Sequence, residues 1–115
     1  MKAKFACKNI ELSEIIRCSF GLTKTEYTLL IFLIKNNQDY TIKEISDKLN
    51  FERSTIQKAL KSLTEKKLTI RKQENLNSGG YRFYYGSSPK KQIKEQIFCA
   101  VDQWHDSVKT LINSW

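Results

Sequence analysis

Between Thr41 and Arg82 the chain opens a short helix, breaks, opens a longer helix, and then turns to strand-like alternation around a flexible tip. Thr41 and Glu44 have the spacing of a capping box, in which hydroxyl and carboxylate each satisfy a backbone N–H at a helix start. Ile42, Ile45 and Leu49 then recur on one face, and Asn50 and Phe51 make a turn. From Arg53 to Lys67 the period continues, with Ile56, Ala59, Leu60 and Leu63 on one side. Ser54, Lys58, Lys61 and Glu65 lie opposite, flanked by Thr55, Gln57 and Ser62. Leu68–Gln73 and Tyr81–Tyr85 are rich in Ile, Thr, Tyr and Phe and read as strands. Asn75, Asn77, Ser78, Gly79 and Gly80 form the turn-prone tip between them. Helix, turn, longer helix and hairpin in this order is the layout of a winged helix-turn-helix.

The flanks complete a small α-rich domain. The arm from Met1 to Asn9, with Phe5 and Cys7 among lysines, predicts a short strand or a strap on the core. Leu12, Ile15, Ile16 and Phe20 share a face of a helix over Leu12–Phe20, stopped by Gly21. Thr23 and Glu26 have capping-box spacing, and the apolar run Tyr27–Leu33 predicts a buried helix ended by Asn36 and Asn37. Ser88 before Pro89 opens a last helix. In it Ile97, Val101, Trp104, Val108, Leu111 and Trp115 recur in steps of four and three, a heptad seam. The expected fold is mainly α (α+β): a winged helix-turn-helix over 23–86, an N-terminal arm and helix over 1–22, and a long C-terminal dimerisation helix over 87–115. The seam predicts pairing with a second copy. Its alternative is that the helix folds back on its own domain.

Composition sharpens the function. The net charge is +8, which favours polyanions. From Thr41 to Lys72 nine Lys or Arg stand against four acids, so a surplus of +5 falls on about a quarter of the chain. Charge and shape therefore point to one partner, double-stranded DNA. Arg53, Ser54, Thr55 and Gln57 are placed to reach base edges and Lys48, Lys58, Lys61 and Lys72 to attract the phosphate backbone, with Thr41 and Lys43 as further candidate DNA contacts. Asn77 and Arg82 would act from the hairpin. The plain alternatives are a solvated basic face and an ordinary hairpin turn.

Other chemistry is poorly represented. No Gly-rich phosphate loop, Gly-x-Ser-x-Gly or paired His occurs, so no enzyme is expected. One His with three scattered Cys is poor zinc-ligand spacing, and neither a metal nor any other cofactor is expected. Cys7 and Cys18 are candidate redox thiols beside Lys8 and Arg17. The alternative for them, and the expectation for Cys99, is a small buried packing residue. No run of 18 apolar residues or signal-peptide core is visible, so a cytoplasmic protein without a membrane partner is expected.

Three runs carry a family resemblance: Gly21-Leu22-Thr23-x-x-Glu26-Tyr27; Thr41-Ile42-x-Glu44-Ile45-Ser46-x-x-Leu49; and Arg53-Ser54-Thr55-Ile56-Gln57-x-Ala59-Leu60-x-x-Leu63-x-x-Lys66-x-Leu68. They resemble the TrmB-like winged-helix regulators of archaea, and also MarR-type regulators, across roughly Gly21–Tyr85. The resemblance implies a dimeric transcriptional regulator, a repressor of archaeal type. It implies DNA contacts by Arg53, Ser54, Thr55, Gln57 and Arg82. It does not extend to the C-terminal sugar-binding domain of full-length TrmB proteins. Where that family usually has Gly before the first wing strand, this chain has Lys67. A protein-interaction adaptor in a transcription or replication assembly is the alternative.

Overall fold

The computed structural model describes residues 1–115, which form two compact units: Met1–Thr23 with Lys91–Trp115, and Lys24–Lys90.

The first unit opens with an antiparallel hairpin, β1 (Lys2–Phe5) and β2 (Lys8–Glu11), in the register Lys2↔Glu11 to Phe5↔Lys8. The sequence suggested one strand at most, because Ala6–Cys7 lacks the Asn-Gly type of turn signal. Ion pairs Lys2–Glu11 (3.4 Å) and Lys8–Glu14 (3.6 Å) tie the hairpin across its strands and to the next helix. That helix, α1 (Leu12–Phe20), has the expected bounds, and no residue in it is fully buried. The unit's second helix, the 24-residue α5, runs Lys90–Asn113. Its described bounds place Trp115 beyond the helix, so the expected seam stops one member short.

The second unit holds α2 (Lys24–Asn36), α3 (Ile42–Leu49), α4 (Arg53–Glu65) and the hairpin β3 (Thr69–Asn75) with β4 (Tyr81–Ser87). Its core is Leu29, Leu30, Leu33, Ile45, Ile56, Leu60, Leu63 and Leu68, all essentially inaccessible, with Tyr40 and Ala59 at its margin. The inward face expected for α4 is the buried one. Burying a side chain of Leu or Ile size is worth roughly 1.5–3 kcal/mol, so this stripe anchors α4 to the core.

The capping box at α3 is present: Glu44 N–H donates to Thr41 Oγ1 (3.2 Å) and Thr41 N–H donates to Glu44 Oε1 (3.0 Å). These bonds, with Lys48 and Arg82 nearby, hold the Glu44 carboxyl below its usual pKa.

The first four helices end alike, each followed by a residue of positive φ: Gly21 (63°), Asn37 (48°), Asn50 (58°) and Lys67 (62°). Gly and Asn tolerate this conformation, whereas Lys carries a Cβ penalty there. The end of α4 compensates with hydrogen bonds. Leu68 N–H donates to Leu63 O (2.9 Å) and Lys67 N–H to Thr64 O (3.0 Å), closing a Schellman-type turn. This turn stops α4 at Glu65, two residues before the expected Lys67.

In the hairpin each strand runs two residues past its expected end, to Asn75 and to Ser87, and β3 starts one residue later, at Thr69. The hairpin's base is held from the α2–α3 connection. Tyr40 and Tyr85 exchange backbone hydrogen bonds of 2.9 and 2.8 Å. The neighbouring Asp39 carboxylate reaches Lys72 Nζ at 2.8 Å and lies so close to Gly86 that a Cβ there would collide with it.

Candidate nucleic-acid interface

Helix α4 presents one face to the core and the other to solvent. Arg53, Ser54, Gln57, Lys58 and Lys61 are exposed, and Thr55 is half-buried at the edge of the packed side. A 3.6-residue period puts Ser54, Lys58, Lys61 and Glu65 in one row. No carboxylate is ion-paired with any basic group of this face. With Arg53 and Gln57 beside that row, the face offers hydroxyl, amide, ammonium and guanidinium donors of the kinds that read base edges and phosphates.

The other expected contacts fare unequally. Lys43 is exposed on the first turn of α3. Thr41 is half-buried, and both its hydroxyl and its N–H are engaged by Glu44, so its role is to start α3. Lys72 is tied to Asp39. Asn77 is exposed in the hairpin tip. Arg82 is exposed but lies directly opposite Glu74 in the register. The Tyr84 hydroxyl beside it, then Glu74 and Glu44, raise the pKa of its guanidinium.

One basic residue of the hairpin was counted in the charge but not singled out by the sequence. Arg71 stacks on the Phe83 ring, with the guanidinium carbon 4.4 Å from the centroid. Phe83 in turn meets Tyr81 at 5.2 Å between centroids. Arg71 and Phe83 stand two registers apart on facing strands, a contact readable only once the pairing is known.

The thiols correct an expectation. Cys7, Cys18 and Cys99 are all exposed, so none is a buried packing residue. Cys7 lies in the turn between β1 and β2, while Cys18 and Cys99 occupy outward positions of α1 and α5. Of the seam on α5, Ile97 and Val108 are half-buried, while Val101, Trp104 (61%) and Leu111 (70%) are exposed, as are Phe98 and Ile112 beside them. No helix is long and apolar enough to cross a membrane.

The chain is similar in sequence and in fold to known proteins. An uncharacterised protein of Methanocaldococcus jannaschii, MJ1503, is 28% identical over 106 residues, covering 92% of this chain and 80% of its own length. A structure described as a possible transcriptional regulator from Methanosarcina mazei Go1 superposes with a TM-score of 0.90 at 29% identity, covering 100% of this chain and 97% of that one. A Staphylococcus aureus MepR variant bound to an oligodeoxyribonucleotide shares the fold, with a TM-score of 0.57 at 20% identity over 90% of this chain and 72% of its own. The family model described as the sugar-specific transcriptional regulator TrmB matches residues 16–103. By its winged helix-turn-helix and by that match, the chain belongs to the TrmB family of transcriptional regulators.

Proposed function

We propose that this protein is a homodimeric, cytoplasmic repressor that binds double-stranded DNA in a sequence-specific manner. The observation that carries the reading is the outward face of α4, where Arg53, Ser54, Gln57, Lys58 and Lys61 stand exposed on a helix whose reverse side is locked into the core. A recognition helix needs both properties: donors free to meet base edges, and a rigid seat that fixes their position. Arg53, Ser54, Thr55 and Gln57 supply the base contacts. Lys43, Lys58 and Lys61 supply phosphate attraction, with Asn77 on the hairpin and Thr41 placing the start of α3.

The exposed row on α5 supports the dimer. Val101, Trp104 and Leu111 form more apolar surface on one helix than a monomer gains by leaving in water. A symmetric pair would set two copies of α4 about 34 Å apart on one face of the duplex and favour a palindromic site.

Selection of bound duplexes from a random pool tests binding, specificity and dyad symmetry together. A palindromic consensus is the expected result. Against that consensus, Arg53→Ala should lose roughly 1–3 kcal/mol. Absence of any retained duplex at low salt would refute the reading and favour the protein-interaction adaptor.

A further inference from the structure

The β3–β4 register divides the side chains of the hairpin between two faces. One face carries Ile70, Lys72, Glu74, Arg82, Tyr84 and Gly86; the other carries Thr69, Arg71, Gln73, Tyr81, Phe83 and Tyr85. Their electrostatics differ. On the first face Lys72 is paired with Asp39, Arg82 stands across from Glu74, and Glu44 is close enough to act on Arg82. Two cations there share three carboxylates. On the second face there is no acid at all, and Arg71 has no carboxylate partner.

We infer that the hairpin meets duplex DNA through the Arg71 face, with Arg71 as its principal cation, and that the Arg82 face points away from the phosphates. The inference rests on the DNA-binding reading proposed above and adds the side of the wing that makes contact.

Three observations support it. A phosphate backbone is repelled by a face with three carboxylates and attracted by one with none. Arg71 is already held in place, because its guanidinium carbon sits over the Phe83 ring, 4.4 Å from the centroid. Stacking leaves the N–H edge of a guanidinium open to an anion while reducing the rotamer freedom lost on binding. The same face continues to the recognition helix at its root, where Thr69 Oγ1 and Thr64 Oγ1 of α4 are hydrogen-bonded at 2.9 Å. Side chains on this face therefore stand on the side of the hairpin that α4 occupies. Gln73, whose amide donates to Asn75 Oδ1 at 3.3 Å, and the exposed Tyr81 ring extend it towards the tip.

The test compares Arg71→Ala with Arg82→Ala by fluorescence anisotropy on a labelled duplex of mixed sequence, titrated over a range of salt. Both positions are exposed, and thermal melts check that each variant is folded. Arg71→Ala should weaken binding several-fold at low salt and flatten the slope of log K against log salt by about one unit, the signature of one lost phosphate contact. Arg82→Ala should leave that slope unchanged. Phe83→Leu should weaken binding while keeping the slope, because the charge stays and only its support is lost. An unchanged slope for Arg71→Ala, or a flattened slope for Arg82→Ala, overturns the inference while the parent still binds. Failure of the parent itself to bind duplex instead overturns the DNA-binding reading.

Discussion

Helices α4 and α5 carry apolar stripes of similar spacing and opposite fate. In α4, Ile56, Ala59, Leu60 and Leu63 are buried within their own unit. In α5 only Ile93 is buried, and Val101, Trp104 and Leu111 stand in solvent. Periodicity thus identifies which face of a helix is apolar and says nothing about what covers it. The first stripe holds the fold together, whereas the second is the surface that the proposed dimer would cover. A steady outward polar face distinguishes them in sequence: α4 has one of hydroxyls, amides and lysines, whereas α5 sets Phe98 and Ile112 beside its seam.

The comparison is broken most directly at Leu63 and Trp104. Leu63→Ala should cost about 2–5 kcal/mol in urea unfolding, because Leu63 is inaccessible and its cavity cannot collapse freely. A loss below about 1 kcal/mol would show that the stripe of α4 is not the anchor described. Trp104→Ala should leave that stability of the single chain unchanged but weaken self-association by at least about 2 kcal/mol, as an aromatic anchor in an interface does. Sedimentation equilibrium reads the change as a shift from two copies towards one. A parent that sediments as a single copy would remove the distinction between the two helices.

Smaller effects sharpen the picture of how α4 is seated. Thr41→Ala should cost about 1 kcal/mol by removing the cap of α3, the helix that packs beside it. It should also change the pH profile. Glu44 has a lowered folded pKa, so its contribution is fully present above the ordinary carboxylate range and is lost as pH falls through the lowered value. The variant's stability should therefore fall less steeply than the parent's on the acid side. Lys67→Gly should raise stability by roughly 0.5–1 kcal/mol, relieving a Cβ from a left-handed position. No gain in thermal melting would mean that the turn after α4 is unstrained.

Local chemistry made most of the fold legible. The bounds of α1 and α3, the Thr41 cap and the buried side of α4 all follow from patterns within a few residues. What stayed hidden depends on contacts distant in sequence or on backbone conformation. Nothing in Lys66-Lys67 announces a helix end, since lysine is a good helix former and the left-handed turn is set by Leu68 returning to Leu63. The pairing of β1 with β2, the Tyr40–Tyr85 bridge and the seat of Asp39 against Gly86 likewise have no local signature. The same limit divides the candidate interface. The exposed residues of α4 were readable from a helical period. The contrast between Arg71 and Arg82 was not, because it depends on which strand residues face one another and which acids lie nearby.

Gly86 gives the hairpin a lasting mechanical character. With two backbone bonds at Tyr40 and a carboxylate lodged where any larger residue would sit, the base behaves as a fixed fulcrum. Thermal motion is therefore expected to concentrate at residues 76–80, like a fingertip on a stiff knuckle. Amide exchange should grade accordingly, slow beside the knuckle and fast at the nail.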